Sequence, residues 1–154
     1  MSSLIDDFQK LVLAGMGSTW RPDWDEWGMW LAAAVSLRGD CRRARVGAVI
    51  LDENHRIVGQ GYNGAAPGGP SCLAGDCPRA FTDVPPGSSY DTGQGACIAT
   101  HAELNALLDA GVVRARGGVM YVMCKPCDGC TKIIRSAGID RVMWPNGSWR
   151  DVSR

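Results

Sequence analysis

The alternation of apolar and polar positions divides the chain into a helical start, two short strands, a long irregular stretch and a closing alternation of helices and strands. Trp24, Trp27, Leu31, Ala34 and Val35 fall on one helical stripe and predict a helix with that stripe in the core. Asp23 marks its start, with Glu26 three residues on, the spacing of a capping box. Val46 to Leu51 is a short apolar run that reads as a buried strand. Arg56 to Gly61 is its partner, across a turn at Asp52-Glu53-Asn54-His55. From Asn63 to Gln94 the chain is rich in Gly, Pro, Ser and Asp. An insert this long in a small domain usually carries function or a metal staple.

Regularity returns at His101 to Ala110, a helical pattern with Leu104, Leu107 and Leu108 facing inward and Gly111 as its stop. Val119 to Met123 is strand-like, Cys127 to Ala137 is helical with Gly138 as its stop, and Arg141 to Trp144 is a last strand. The closing strand–helix–strand unit predicts parallel pairing through a right-handed crossover. The expectation is an α/β fold: a three-layer α/β/α sandwich with a mixed, mostly parallel-ended sheet. Residues 1–22 read as a leader, a short helix followed by a link at Gly15 to Gly17, and residues 23–154 as one domain.

Charge narrows the partners. Lys plus Arg number 16 and Asp plus Glu number 16. Proteins that live on nucleic-acid backbones usually carry a basic excess, so this balance argues against polymeric DNA or RNA. A single nucleotide needs only one or two cations. No apolar run approaches the ~20 residues of a membrane span, and the start lacks the basic residues of a secretory signal, so the chain reads as cytoplasmic. Seven cysteines in such a chain point to metal or catalysis, and the odd number fits a pure disulfide framework poorly.

The chemistry concentrates in His101-Ala102-Glu103 and Pro126-Cys127-Asp128-Gly129-Cys130. Zinc takes N and S ligands, and a catalytic zinc keeps three protein ligands and one open position. Cys127 and Cys130, three apart on the first turn of a helix, can reach one ion, and the helix N-terminus favours thiolates. His101 is the third ligand. Glu103, about 200° further round a regular helix, shares its pocket only if His101 leaves helical geometry. Thr100 stands where a cap could sit. Zinc lowers the pKa of its water, and Glu103 is the catalytic base that moves the proton. A purely structural zinc site would leave Glu103 unexplained. Cys124, three residues before Cys127, could complete such a site but falls in the predicted buried strand and reads as core.

The H-x-E and P-C-x-x-C pair is the known signature of zinc deaminases. From Trp24 to Trp144 the sequence resembles the deoxycytidylate deaminase family of the cytidine deaminase superfamily. The match includes Cys41-Arg42-Arg43-Ala44-Arg45-Val46-Gly47, Gly61-Tyr62-Asn63-Gly64, Cys97, His101-Ala102-Glu103-Leu104-Asn105-Ala106, Tyr121-Val122 and Ala137-Gly138-Ile139. The resemblance implies hydrolysis of dCMP to dUMP and ammonia by zinc-bound hydroxide, feeding thymidylate synthesis. It implies that Asn63 binds the sugar hydroxyl, that the Ala102 backbone N–H holds the base, and that Arg45, with Arg43 second, holds the 5′-phosphate. The alternative for these arginines is a solvated surface turn. It further implies a homo-oligomer and, at Gly61 to Gly69, dCTP and dTTP as effectors with Mg2+.

Some relatives hold a second, structural zinc. Here Cys41, Cys72, Cys77 and Cys97 lie in or beside the irregular half. Relatives often carry His where this chain has Ser71 and Ala96, which favours all-cysteine ligation; the alternative is four free thiols. Met123 stands where relatives commonly carry Thr. Two competing readings remain: a deaminase of another free nucleotide, dCTP or a 5-substituted dCMP, and a zinc-stabilised binding protein that has lost the chemistry.

Overall fold

The computed structural model describes residues 10, 14–17, 19–85, 87–93 and 95–150. Most of the leader, and with it most of its expected helix, lies outside those residues.

Helix α1 (Trp24–Ser36) starts at the capping box: Asp23 Oδ1 accepts the Glu26 N–H at 2.8 Å and Glu26 Oε2 accepts the Asp23 N–H at 3.0 Å. Its buried face is not the expected stripe. Gly28, Ala32 and Ser36 point inward, with Leu31 and Val35 flanking them. Trp24 and Trp27 are 45% and 39% exposed, and Ala34 is exposed as well. The reason is steric. The Tyr121 ring lies beneath the helix, and a Cβ on Gly28 would stand 2.5 Å from it. An indole has no room there, so Trp24 turns outward and stacks on His55 at 4.2 Å and 6°.

Five strands form one mixed sheet in the order β2-β1-β3-β4-β5. They are β1 (Gly47–Leu51), β2 (Ile57–Tyr62), β3 (Val119–Val122), β4 (Arg141–Trp144) and β5 (Gly147–Arg150). Parallel pairing joins β3 to β4, where the strand–helix–strand unit predicts it; β1–β2, β1–β3 and β4–β5 are antiparallel. The last strand was not expected. Its signal is the turn dipeptide Asn146-Gly147, with Asn146 at φ 66°. Central β1 is buried at all five positions because helices cover both faces.

The strand period of two separates two cores. Val49, Leu51 and Tyr121 face α1 and pack with Ala32. Ala48, Ile50, Met120 and Val122 face helices α2 (Ala102–Ala110) and α3 (Asp128–Ala137), and pack with Ala102, Ala106 and Ile134. Leu107 is buried there, whereas Leu108, expected inside, is 72% exposed. The inward stripe of α2 is alanine, at 102, 106 and 110, because the helix lies on the backbone of β2. A Cβ on Gly59 would meet Ala106 O at 2.5 Å, and one on Gly61 would meet Ala106 N at 2.3 Å. Asn105 Nδ2 donates to Tyr62 O at 2.7 Å, and Asp109 Oδ2 accepts the Gln60 N–H at 2.9 Å.

On the opposite face Asp25 joins α1 to the sheet. It accepts from Tyr121 Oη at 2.8 Å and from both terminal nitrogens of Arg141 at 2.6 and 2.8 Å. The Arg141 guanidinium holds the Asp25 carboxyl below the usual carboxylate range, against a smaller opposing effect of burial.

Gly28→Ala sets two magnitudes against each other. Helix propensity gains about 1 kcal/mol, and overpacking against Tyr121 costs about 1–3 kcal/mol. Chemical denaturation is expected to show net destabilisation. A variant more stable than the parent would mean that the Tyr121 ring yields without cost.

Candidate active site

Two helix starts build the site. His101 is the N-cap of α2, in extended geometry at φ −67° and ψ 150°. This is the departure from the helix that lets His101 and Glu103 share a pocket. The cap is therefore His101 and not Thr100, which instead pairs with Gly64 in a single β-bridge. Cys127 is the N-cap of α3, and its sulfur accepts the Cys130 N–H at 3.5 Å.

The His101 Nδ1 stands 3.6 Å from Cys127 Sγ and 3.3 Å from Cys130 Sγ. A tetrahedral zinc with usual bond lengths places N and S about 3.5 Å apart. Among the described residues, these three form the one group of metal-ligating side chains whose atoms all lie within 4.8 Å of one another. Burial pushes the Cys130 thiol well up, and the neighbouring Glu103 and Cys127 add to this. The donor set fits zinc: two sulfurs and one imidazole, with His101 and Cys127 on the wall of the adjoining cavity.

That cavity has a volume of about 340 Å³, adequate for a small ligand. Glu103, 3% exposed, lies on its wall beside His101 and Cys127. Ala102 also lines it. As the first residue of α2, its N–H has no partner within the helix. Asn63 lines the cavity with its amide partly engaged: Oδ1 accepts the Val46 N–H at 2.8 Å and Nδ2 donates to Ala44 O at 2.8 Å. One amide hydrogen is left for a ligand. The two expected arginines separate. Arg43 lines the cavity, whereas Arg45 donates to Leu37 O at 3.3 Å and lines neighbouring grooves.

Cys41, Cys72, Cys77 and Cys97 line another part of the same wall, no three of their sulfurs all lie within 4.8 Å of one another, and all seven cysteines are free thiols. Cys77 Sγ is 3.9 Å from Cys97 Sγ, and Cys72 Sγ accepts the Arg42 N–H at 3.5 Å. Burial pushes Cys72 and Cys97 up. At Cys77 burial acts the same way, but the N–H groups of Ile98, Ala80 and Arg79 and the Cys97 thiol outweigh it and hold this thiol below its usual range.

Four wall residues escaped the sequence reading. Cys124 is exposed to the cavity and not in the core, because β3 ends at Val122 and the chain turns away after the Met123 N–H donates to Gly47 O. Lys125 follows it. Arg79 and Tyr90 come from the irregular insert. Their signal was a lone arginine and a lone tyrosine in a segment otherwise dominated by small and polar residues.

Comparison with known proteins agrees with this geometry. Residues 22–145 match the family described as the cytidine and deoxycytidylate deaminase zinc-binding region. The deoxycytidylate deaminase of Mycobacterium phage D29 is 43% identical over 129 residues, covering 83% of this chain and 98% of the phage protein. The deoxycytidylate deaminase of Schizosaccharomyces pombe is 37% identical over 125 residues, or 80% of this chain, which spans 37% of that longer protein. The dCMP deaminase of cyanophage S-TIM5, solved with dCMP and dUMP, superposes with a TM-score of 0.60 at 26% identity, covering 81% of this chain and 82% of that one.

Elemental analysis of purified protein tests the donor set. Cys130→Ser is expected to carry one equivalent of zinc fewer per chain than the parent. Equal zinc in both would place the ion elsewhere.

Proposed function

The chain belongs to the cytidine and deoxycytidylate deaminase family, and from that membership we propose that dCMP is the substrate its cavity takes, with dUMP and ammonia as products. The supporting observation is one cavity lined by His101, Cys127, Glu103 and Asn63, in a chain that spans nearly the whole of a phage deoxycytidylate deaminase. The domain that carries the chemistry is residues 23–154, with 1–22 as a leader.

His101, Cys127 and Cys130 would hold the zinc, which when bound would lower the pKa of a water ligand toward neutrality. The carboxylate of Glu103 accepts one proton of the attacking water and delivers it to N3 of the cytosine ring, then takes the second proton from the new C4 hydroxyl and gives it to the amine, which leaves as ammonia as the C4 carbonyl forms. Its burial excludes bulk water from that transfer. The Ala102 N–H donates to the base, and the free amide hydrogen of Asn63 meets a sugar hydroxyl. The fork of Arg43 suits a dianionic phosphate. Because Arg43 lines the cavity, it takes precedence over Arg45, whose hydrogen bond to Leu37 O makes it a support for the loop.

Cys41, Cys72, Cys77 and Cys97 hold a second, structural zinc in this reading. It staples a loop region with few apolar residues of its own. The same elemental analysis is expected to give two equivalents of zinc in the parent and one in Cys72→Ser. A single equivalent in both would remove the second site. Free thiols and a free-nucleotide substrate support a cytoplasmic placement, and no helix among the described residues is long and apolar enough to cross a membrane. Homo-oligomerisation, and regulation by dCTP and dTTP with Mg2+ at the loop from Gly61 to Gly69, complete the proposal by family likeness.

Glu103→Gln keeps the size of the side chain and removes the base. It is expected to retain zinc and to lose at least about 100-fold in kcat. Retained activity would remove Glu103 from the proton path. Ammonia release from deoxycytidine, dCMP, CMP, dCTP and 5-methyl-dCMP is expected to be fastest with dCMP. Arg43→Ala is expected to raise KM for dCMP far more than for deoxycytidine. Preference for dCTP or the methylated nucleotide would move the substrate, and equal effects on both KM values would remove Arg43 from the phosphate. No turnover of any of these by the zinc-bound protein would favour a binding protein.

A further inference from the structure

A metal-bound imidazole is usually fixed by a hydrogen bond from its second ring nitrogen to a carboxylate, a carbonyl or water. His101 has no carboxylate or carbonyl partner among the described residues. Among the described residues, the polar contacts of its ring are those of Nδ1 with the two sulfurs. What touches the ring instead is Tyr90, which stands perpendicular to it at 86° with centroids 5.1 Å apart.

Tyr90 is itself held from behind. The guanidinium of Arg79 lies 4.0 Å over the tyrosine ring, a cation–π distance. Arg79 is 6% exposed, and no ion pair among the described residues includes it. It donates instead to three carbonyls of the segment that carries Tyr90: Ser89 O at 2.7 Å, Gly95 O at 2.9 Å and Ser88 O at 3.2 Å. The Tyr90 carbonyl in turn accepts the Cys97 N–H at 2.7 Å. A buried cation without a carboxylate is costly unless its surroundings are arranged around it. Here the arrangement ends on the imidazole. The Arg79 Nε remains without a partner, so carbonyl bonding alone does not satisfy the group and the aromatic face is a substantial part of its environment.

We propose that Tyr90, clamped by Arg79, is a positioning residue for His101: the ring contact takes the place of a protein hydrogen bond and keeps Nδ1 aimed at Cys127 and Cys130. The irregular insert is then part of the metal centre, although it supplies no ligand to it. The inference rests on His101 being a metal ligand, and the experiment separates the two. Metal-free protein is titrated with cobalt(II), and the cobalt–thiolate absorption that vanishes in a Cys130→Ser control reports this site alone. Tyr90→Ala and Tyr90→Leu are expected to bind cobalt about tenfold more weakly and to shift its visible bands, at a temperature where every metal-free variant is folded. Tyr90→Phe, which keeps the ring, is expected to match the parent. Parent-like affinity and bands in both Tyr90→Ala and Tyr90→Leu would overturn the proposal. So would a loss of affinity matched by an equal loss in Tyr90→Phe. A cobalt–thiolate absorption in Cys130→Ser equal to that of the parent would overturn the metal site itself, and the role of Tyr90 with it.

Discussion

Helix α2 sits where it does because β2 has almost no side chains beneath it. The Cβ positions that Gly59 and Gly61 lack are already taken by the backbone of Ala106 and its neighbours. The alanine stripe of the helix and the glycines of the strand approach to a distance that larger residues forbid. Asn105 and Asp109 then fix the helix along and around its axis. The depth of α2 in turn decides where its first residues emerge, so His101, Ala102 and Glu103 inherit their positions from a contact that begins at Ala102 O and continues through Ala106. α1 uses the same device on the other face, with Gly28 over Tyr121. Both helices are held by the absence of bulk, and this sandwich is thinner than one built on leucine.

The wall opposite these helix starts is built by different means. The segment around Tyr90 has few apolar residues to bury and is organised by hydrogen bonds to Arg79 and by a group of thiols. The cavity therefore lies between a close-packed half and a polar half. The first holds the metal donors and the base at fixed spacing. The second brings the charged and aromatic groups, Arg79 and Tyr90, that face them.

The metal donors were legible because their chemistry is local: H-x-E and P-C-x-x-C each open a helix, and the spacing alone brings the sulfurs together. The strands were legible from short apolar runs, apart from β5, whose turn signal at Asn146-Gly147 is clear but whose four residues carry one large apolar side chain. The α1 stripe misled because tryptophan is strongly apolar, and apolarity says nothing about available depth. The requirement for a small residue at position 28 comes from Tyr121, about 90 residues on, and no local pattern contains it. Cys124 was misplaced for a related reason: the end of β3 is set by pairing with β1 and not by the hydrophobic run. Arg79 and Tyr90 gave no motif at all, since their importance arises only when the insert folds back onto α2.

The separation of the metal donors along the chain also governs how the protein is made. Cys130 lies 29 residues after His101, with the whole of α2 and β3 between them. During synthesis the histidine leaves the ribosome before both of its cysteine partners, and no emerging fragment short of Cys130 holds all three of these donors. Metal capture thus waits until β3 has joined β1 and brought the two helix starts together. At this centre the donor set is complete only once both helix starts exist, so its assembly is coupled to the last third of the fold.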